Sequence, residues 1–373
     1  MVAYPSLNTQ AHFWRYPMKA FVTGGSGFIG RHLIRKLIAR GYKVRALSRS
    51  INSDVLLRQM GAEPIRGHIN DLPALREGMQ GCQVVFHLAA WYRLGKRGAA
   101  QAERINVRGT RNVLQTAFQT GVPKIIYTST IAVFGDTRGQ LVDETYYKGA
   151  PFLSEYDRTK WLAHYRVALP LIEQGAPIII TMPGGVYGPG DTSVIGEMLS
   201  LFLQGRLNIL PGPETTLTYA HVDDIAEGHI LAAEKGKIGE SYILAGPARS
   251  LGEMTQLWAQ LSGMQAPRIH IPAAVLRPFA PLMGILEGLV DLPMSFTEEA
   301  VRSLGATYIA RSDKARAELG WEPRPLEEGM AETVSSMLAT LPSTHPTDQR
   351  QRAAIILLIA ALLTMLWLRD RES

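Results

Sequence analysis

Tyr156 and Lys160, which have the spacing Tyr-x-x-x-Lys, could transfer a proton to or from a substrate oxygen. They stand at the start of a predicted helix, where residues four positions apart share a face. A phenol has an ordinary pKa of about 10, which is too high for an efficient base near neutral pH. The ammonium group of Lys160 would lower this pKa, because a neighbouring positive charge favours the phenolate.

The same spacing recurs at Tyr92 and Lys96, so the context has to separate the two pairs. A strand end with three hydroxyl groups, Thr128-Ser129-Thr130, precedes Tyr156 and could hold the substrate oxygen. Tyr92 and Lys96 follow a predicted strand directly, in a glycine-rich stretch without such hydroxyls. We interpret Tyr92 and Lys96 as the rim of a pocket or as a loop.

A glycine-rich turn, Thr23-Gly24-Gly25-Ser26-Gly27-Phe28-Ile29-Gly30, connects the first predicted strand to the first predicted helix. Glycines let the backbone of such a turn approach a pyrophosphate closely. The helix N-terminus then offers free N–H groups and the positive end of its dipole. We therefore predict that Gly24, Gly27 and Gly30 bind a dinucleotide.

Strands and helices alternate along the first half of the chain. The predicted strands lie at 19–23, 43–48, 83–88, 124–129 and 177–182, and the predicted helices at 28–40, 100–120 and 156–174. This alternation predicts a Rossmann-type, doubly wound α/β fold with a parallel sheet. From about residue 192 the alternation weakens and Pro and Gly become frequent, which predicts a smaller, irregular substrate lobe.

The predicted organisation has five parts: an N-terminal extension 1–17, a dinucleotide-binding domain 18–191, a substrate lobe with returning Rossmann elements 192–341, a linker 342–352 and an apolar helix 353–368. The last part reads AAIILLIAALLTMLWL, with arginines on both sides. As a helix it would reach about 24 Å, and the arginines could snorkel across a hydrocarbon core of about 30 Å. We predict a single-pass C-terminal anchor that holds the protein on the cytoplasmic face of a membrane. The alternative is an amphipathic or core helix in a cytoplasmic protein.

Composition excludes some classes of function. The net charge is +6, and no basic run is interleaved with aromatic residues, which argues against a nucleic-acid partner. The single cysteine, Cys82, cannot form an internal disulfide or a zinc cluster. A reducing compartment and no metal are therefore expected.

Taken together, the motifs resemble the extended branch of the short-chain dehydrogenase/reductases, also known as the NAD-dependent epimerase/dehydratase family. The glycine turn matches that family's pattern T-G-x-x-G-x-x-G. The other motifs follow in the family's order: HLAA at 87–90, NVRGTRNVL at 106–114, YTSTIAVFG at 127–135, YDRTK at 156–160, PGGVYGPGD at 183–191, HVDDIA at 221–226 and KARAELGWEPRPLEEG at 314–329. Within the family the chain is most similar to dihydroflavonol-reductase-like, hopanoid-associated epimerase-like and 3β-hydroxysteroid-dehydrogenase-like proteins.

This resemblance implies further roles. Thr130 would hold the substrate oxygen, with Ser129 as the alternative if the strand ends one residue earlier, and Lys160 would also bind the nicotinamide ribose. At the adenine side the family's G-D-L reads Gly67-His68-Ile69 here, so His68 replaces the acid. The other implied cofactor contacts are Phe28 and Ile29 at the phosphates, Leu88, Ala89 and Ala90 beside the ribose, Asn106 on the nicotinamide side, and Pro183 and Val186 against the nicotinamide face.

Residues after the second strand favour NADP over NAD, although NAD remains possible. An enzyme specific for NAD needs an acid there to accept a hydrogen bond from the ribose 2′-hydroxyl. The chain has no acid from Val44 to Ser50. Arg49 with Ser48 could instead bind the 2′-phosphate, and Arg45 is a weaker candidate.

The substrate lobe favours an apolar small molecule. Nucleotide-sugar epimerases of this branch carry an arginine shortly before the His-Val-Asp-Asp motif, but residues 215–220 include no cation here. The stretch 271–293 contains Val275, Leu276, Phe279, Leu282, Met283, Leu286 and Leu289, which either bind substrate or merely pack the lobe.

We therefore predict an NADP-linked reductase or dehydrogenase for a sterol-, terpenoid- or flavonol-like compound. The alternatives are an NAD-dependent sugar epimerase or dehydratase and a non-catalytic, dinucleotide-sensing membrane protein. The expected partners are the apolar substrate, the membrane and a second copy of the chain in a homodimer.

Overall fold

A computed structural model describes residues 18–95, 98–289, 292 and 294–341. Its strands are β1 Lys19–Thr23, β2 Lys43–Ser48, β3 Glu63–Arg66, β4 Val84–His87, β5 Lys124–Thr128, β6 Ile178–Pro183, β7 Gly185–Tyr187, β8 Ile209–Pro211, β9 Thr216–His221, β10 Ser241–Leu244, β11 Ala248–Ser250, β12 Ile269–Ile271 and β13 Thr307–Tyr308. The five strands expected in the first half of the chain are all present; β1 and β2 have the expected ends, and the ends of β4, β5 and β6 differ by at most one residue.

The α-helices are α1 Phe28–Ala39, α2 Ile51–Gln59, α3 Leu72–Met79, α4 Ala99–Ala102, α5 Thr110–Gln119, α6 Glu155–Ala163, α7 Leu169–Glu173, α8 Val194–Leu203, α9 Val222–Lys235, α10 Leu251–Ser262, α11 Ala273–Leu276, α12 Ala280–Leu289, α13 Glu298–Ser303 and α14 Leu326–Thr340. A π-helical segment joins α4 to α5, and another joins α6 to α7. The two long helices expected at 100–120 and 156–174 are therefore present, each with one wider turn inside it.

The main sheet has seven strands in the order β10-β6-β5-β4-β1-β2-β3. All of its neighbouring strands are parallel, so their carboxyl ends meet at one edge. The chain order reverses between β1 and β4, and ligands bind at such a switch point. The prediction of a Rossmann-type, doubly wound α/β fold is confirmed.

Helices cover both faces of this sheet, which explains why its central strands are apolar throughout. Every residue of β4 and of β6 is buried. Helices α1 and α9 contribute to the core on one face, with Leu33, Ile34 and Ile230. Helices α3, α5 and α7 contribute to the core on the other face.

The second lobe is built around short strands. Strand β9 pairs with β7, β11 and β13, and β8 pairs with β12. Helices α8, α10 and α14 enclose its core, which includes Phe202, Trp258 and Met330. Two elements within residues 192–341 return to the main sheet: α9 packs on one of its faces, and β10 forms one of its edges.

Three predicted segments, 1–17, 342–352 and 353–368, lie outside the described residues. The membrane anchor expected at 353–368 therefore stays a prediction. Within the part of the chain that the structure describes, no helix is both long and apolar enough to cross a membrane.

Candidate active site

The glycine turn leaves the start of α1 open to a ligand. Gly24 has a φ of +76°, and a Cβ atom there would lie 2.7 Å from the backbone nitrogen of Ala89. A Cβ atom on Gly30 would lie 2.1 Å from the carbonyl oxygen of Gly24, so α1 could not begin as it does. No side chain caps α1, and its first turn contains no acid. The N–H groups of Phe28, Ile29 and Gly30 are therefore free to bind an anion.

Arg31, which belongs to none of the sequence motifs, adds a cation beside this turn. Its Nη2 donates to the carbonyl oxygen of Gly190 at 3.4 Å. Its Nε is buried and has no hydrogen-bond partner among the described residues. A buried donor without a partner is costly, and a phosphate oxygen would satisfy it. The turn and Arg31 therefore fit the pyrophosphate of a dinucleotide.

Tyr156 is the second residue of α6, which begins after the capping residue Ser154. The hydroxyl group of Thr130 lies close enough to Tyr156 to offset part of the rise of its pKa, and Oγ1 of Thr130 also accepts from the backbone nitrogen of Ala132 at 3.2 Å. Ser129 points elsewhere, because its hydroxyl group pairs with Nδ1 of His164 at 2.8 Å. Of the two hydroxyls left open by the sequence, the structure therefore brings Thr130 to Tyr156.

Lys160 lies one helical turn after Tyr156 and is buried. Its Nζ donates to the carbonyl oxygen of Thr128 at 2.8 Å and lies 3.5 Å from the Tyr127 hydroxyl oxygen. Burial lowers the pKa of Lys160 to about 7. In the chain by itself, burial and then Asp157 raise the pKa of Tyr156 above its ordinary value. We expected Lys160 to lower the pKa of Tyr156, but Lys160 is not one of the groups that shift this pKa in the structure.

One tyrosine contacts Tyr156, and another contacts its neighbour Asp157. The Tyr92 ring packs edge-on against that of Tyr156, with ring centroids 4.9 Å apart. Tyr308, on β13 of the second lobe, donates from its hydroxyl group to Oδ2 of Asp157 at 3.0 Å. Burial raises the pKa of Asp157 to about 7. The interpretation of Tyr92 as a pocket rim agrees with this contact, whereas Lys96 lies outside the described residues.

A buried hydrogen-bond network lies behind these groups. Nδ1 of His87 lies 2.7 Å from Oγ1 of Thr23, and Nε2 of His87 lies 3.0 Å from Oγ1 of Thr110. The His87 ring stacks on Tyr127, with centroids 5.7 Å apart. Burial, followed by the charge of Lys160, lowers the pKa of His87 to about 3. His87 is therefore neutral at physiological pH, and it connects the end of β1 to the surroundings of Lys160.

The side chain of Asn106 forms hydrogen bonds with the backbone of Trp91 instead of pointing into an open site. Its Oδ1 accepts from the backbone nitrogen of Trp91 at 2.6 Å, and its Nδ2 donates to the Trp91 carbonyl oxygen and to Oγ1 of Thr159, both at 3.0 Å. These bonds tie the segment after β4 to α6. Asn106 thus positions the loop that carries Leu88, Ala89 and Ala90.

The remaining residues predicted to contact the cofactor follow the carboxyl ends of β1, β4 and β6. Leu88 donates its backbone N–H to the carbonyl oxygen of Thr23 at 3.1 Å, and Pro183 is the last residue of β6. Phe28 and Ile29 open α1, and Val186 on β7 packs against the core beside that helix. Leu88, Phe28 and Ile29 lie at the switch point between β1 and β4, whereas Pro183 ends β6, two strands from β4.

The two arginines that could bind a 2′-phosphate, Arg45 and Arg49, have different environments on the adenine side. Arg45 lies near the amino end of β2, where its Nε pairs with Glu63 at 3.2 Å. Arg49 follows the carboxyl end of β2 and is exposed, with no hydrogen bond or ion pair to another described residue. Burial and then Arg49 lower the pKa of His68, so the two side chains are neighbours. The side chain of Ile69 is buried in the core.

One cluster of possible metal ligands, His221, Asp223 and Glu332, occurs among the described residues. Each member already has a partner. Nδ1 of His221 accepts from the backbone nitrogen of Asp223, Asp223 pairs with His32 at 2.7 Å, and Glu332 pairs with Arg324 at 3.0 Å. Asp223 thereby links α9 to α1, and Arg324 links α14 to α9 because it also pairs with Asp224 at 3.0 Å, which gives the His-Val-Asp-Asp motif a structural role.

Comparison with known proteins places the chain in a family. Residues 20–245 match the family described as the NAD dependent epimerase/dehydratase family. The chain is 32% identical to a dihydroflavonol 4-reductase-like protein of Synechocystis over 84% of this chain and 93% of that protein. It is 34% identical to the 4-hydroxy-2-methyl-3-oxo-4-farnesyl-3,4-dihydroquinoline-1-oxide ketoreductase of Stigmatella aurantiaca, over 82% of this chain and 92% of that enzyme.

Among solved structures, the chain is similar to the protein gox2253, with a TM-score of 0.75 and 33% identity. The match covers 86% of this chain and 98% of that protein. The resemblance stated from the motifs is thereby confirmed. The chain belongs to the NAD-dependent epimerase/dehydratase family of extended short-chain dehydrogenase/reductases, and it is an enzyme that works with a nicotinamide dinucleotide.

Proposed function

We propose that this enzyme is an NADP-linked reductase or dehydrogenase that acts on a hydroxyl or carbonyl group of an apolar small molecule, such as a sterol-, terpenoid- or flavonol-like compound. The observation that carries the proposal is the meeting of Thr130, Tyr156 and Lys160 at the edge of the sheet where the glycine turn also lies. Hydride transfer requires a proton donor or acceptor beside the dinucleotide, and this arrangement supplies one.

The bound nicotinamide supplies or accepts the hydride. Thr130 and Tyr156 hold the substrate oxygen by hydrogen bonds, and the Tyr156 hydroxyl group gives or takes its proton. Lys160, whose Nζ now donates to the carbonyl oxygen of Thr128, would hold the nicotinamide ribose. The positive charge of an oxidised nicotinamide, together with Lys160 in its protonated form, would lower the pKa of Tyr156, which burial and Asp157 raise in the chain by itself.

Support for an apolar substrate comes from aromatic residues near Tyr156 and from the name of a relative. The ring of Tyr92 contacts that of Tyr156, and Tyr308 binds Asp157, the next residue of the same helix. The Stigmatella relative is named for a ketone that carries a farnesyl chain. The apolar segment 353–368 adds the membrane to this proposal, since an anchored enzyme would meet such substrates in the lipid. The attachment rests on the sequence alone.

Support for NADP comes from Arg49. The side chain is exposed at the carboxyl end of β2, where the ribose 2′ position of a bound dinucleotide lies. The nearest acid of α2, Asp54, is engaged by Arg66. A positive charge without a competing acid suits a 2′-phosphate better than a 2′-hydroxyl group.

The cofactor half of the proposal is tested by titrating the full chain with NADPH and NADH and following protein fluorescence. We expect Arg49→Ala to weaken NADPH binding by about 10- to 100-fold, the usual contribution of a charge-assisted hydrogen bond, and to leave NADH binding nearly unchanged. Arg58→Ala, an exposed arginine at the far end of α2, is the matched control. Equal effects of Arg49→Ala on both cofactors would contradict the assignment.

The chemical half is tested with a panel of steroid ketones, dihydroflavonols and UDP-glucose. We expect reduction of an apolar ketone by NADPH, and a loss of about 100-fold or more in kcat for Tyr156→Phe with NADPH binding retained. Tyr92→Phe keeps the ring contact and serves as the control. Turnover of UDP-glucose without added cofactor would favour an epimerase instead, and full activity of Tyr156→Phe would refute the mechanism.

A further inference from the structure

A helical segment on the second lobe carries an apolar surface that faces solvent. It runs through α11, the 3₁₀ turn Arg277–Phe279 and α12. The exposed fractions of Val275, Leu282, Ile285 and Leu289 are 43%, 36%, 65% and 75%. Pro278 and Pro281 lie between them and are also exposed. We call these six residues the apolar stripe.

The apolar stripe is a second apolar face of a helix that already has a buried one. Apart from the adjacent pair Pro281 and Leu282, its members follow one another at intervals of three or four residues, so they line one side of the segment. Leu276, Ala280 and Met283 lie on the other side and pack into a small core with Val301. A helix at a protein–water surface normally turns polar residues outward, and this segment does not.

Charged groups are almost absent from the segment. Within residues 273–289 the charged side chains are Arg277 and Glu287. Glu287 is buried, and its Oε1 accepts from the backbone nitrogen of Glu298 at 2.7 Å. The exposed face of this segment therefore includes one cation and no carboxylate, a charge pattern that an anionic lipid surface attracts.

We propose that the apolar stripe rests on a lipid bilayer, with its aliphatic side chains buried at the boundary between headgroups and acyl chains. The sequence beyond the described residues supports a lipid partner. Residues 353–368 are free of charge and lie between Arg352 and Arg369, which is the pattern of a membrane-attached segment. Two apolar elements of one chain on the same membrane strengthen each other, because the second binds at high effective concentration.

The buried side of this segment connects to the catalytic helix. Glu298 and Glu299 open α13, and Glu298 is the residue that Glu287 of α12 contacts. Glu299 accepts from the backbone nitrogen of Gly95 at 2.8 Å and from that of Glu155, the neighbour of Tyr156, at 2.9 Å. The segment that carries the apolar stripe is therefore linked through α13 to the start of α6, the helix of Tyr156. An apolar substrate could pass from lipid to the site, a step that rests on the proposed function.

The test uses the full chain with a polarity-sensitive fluorophore on Ile285→Cys. The native cysteine, Cys82, is buried, so labelling is selective. Vesicles of phosphatidylcholine and phosphatidylglycerol are added, with and without lipids that carry a quencher in the acyl chain. We expect a blue shift and quenching at position 285. Ile238→Cys, at a side chain that is 56% exposed between α9 and β10, is the matched control and should show neither.

Three outcomes would overturn the proposal. The label at 285 could stay in water while the protein is bound to vesicles. It could be in an apolar environment before lipid is added, in a way that depends on protein concentration, which would indicate a second copy of the chain. The label could also be in an apolar environment before lipid is added at every protein concentration, which would indicate coverage by the chain's own segment 353–368.

A charged variant gives a second measurement. We expect Ile285→Glu with Leu289→Glu to weaken vesicle binding by about tenfold for each side chain, because burial of a large aliphatic group contributes at least that much. NADPH binding should not change. Unaltered vesicle binding would count against the apolar stripe. Neither vesicle measurement needs a substrate, so a failed ketone panel would leave both interpretable.

Discussion

Asp157 offers a sharp test of the electrostatics around Tyr156. Asp157 is 4% exposed, its carboxyl group accepts a hydrogen bond from Tyr308, and no cation among the described residues forms an ion pair with it. Asparagine has the same shape and can still accept from the Tyr308 hydroxyl group. Asp157→Asn therefore removes the titration and keeps the packing and the main hydrogen bond.

The size of the effect follows from the pKa. An aspartate carboxyl has an ordinary pKa of 3.8, and burial raises that of Asp157 to about 7. The folded chain thus holds this proton over about three pH units in which the unfolded chain has released it, at about 1.4 kcal/mol for each. Wild-type stability falls by about 4 kcal/mol from this group as the pH rises from about 4 to about 7. The variant lacks this fall.

Urea unfolding, followed by tryptophan fluorescence, measures the difference. We expect Asp157→Asn and the wild type to have similar free energies of unfolding near pH 4, with the variant about 4 kcal/mol more stable near pH 8. The variant should also shift the basic limb of the activity profile to lower pH, because Asp157 raises the pKa of Tyr156. A stability difference that does not change with pH would refute the reasoning.

Asp143 provides a control of opposite sign. Hydrogen bonds from Thr145 and Arg311 lower the pKa of Asp143 to about 2. Its ionised form therefore stabilises the folded chain above an ordinary pKa of 3.8, and this contribution is lost as the pH falls towards 2. Asp143→Asn should thus be less stable than the wild type near neutral pH and approach it only in acid.

Two further predictions concern the cofactor site. Burial lowers the pKa of Lys160 from 10.5 to about 7. Wild-type stability should therefore rise as the pH increases from about 7 to 10.5, and Lys160→Met should lack this rise. Thermal unfolding temperatures that depend on pH in the same way in both proteins would contradict this. Gly30→Ala would place a Cβ atom 2.1 Å from the Gly24 carbonyl oxygen, so calorimetric titration should show a loss of NADPH binding and thermal unfolding a lower Tm. Gly288→Ala, where a Cβ atom meets open space, is the matched control, and an undiminished NADPH affinity of Gly30→Ala would show that the turn can widen.

Local patterns predicted much of the fold because they repeat at the period of the element that they form. Helix α1 was expected at 28–40 and spans Phe28–Ala39, and β2 was expected at 43–48 and spans Lys43–Ser48. The glycine turn was predictable for a different local reason, because each glycine allows a close backbone approach within the turn itself. The π-helical segments inside the two long helices were not predicted, because nothing in the local pattern of apolar residues marks them.

The choice among neighbouring candidates required long-range contacts. Ser129 and Thr130 are equivalent in the sequence, and His164 of a distant helix is what engages Ser129. Arg45 and Arg49 are both plausible partners for a phosphate until β3 brings Glu63 to Arg45. Arg31 could have been noticed as a cation just after the glycine turn, but its buried Nε depends on the packing around it.

By itself the sequence determined the order of strands and helices, the dinucleotide turn and the Tyr156–Lys160 pair, because each depends on residues close together in the chain. The tertiary structure decided how the apolar stretch 271–293 is used: Leu276 and Met283 are buried, whereas Ile285 and Leu289 are exposed. Both kinds of position are occupied by the same kinds of side chain. Whether a helix face is covered depends on which distant elements pack against it, and composition does not record that.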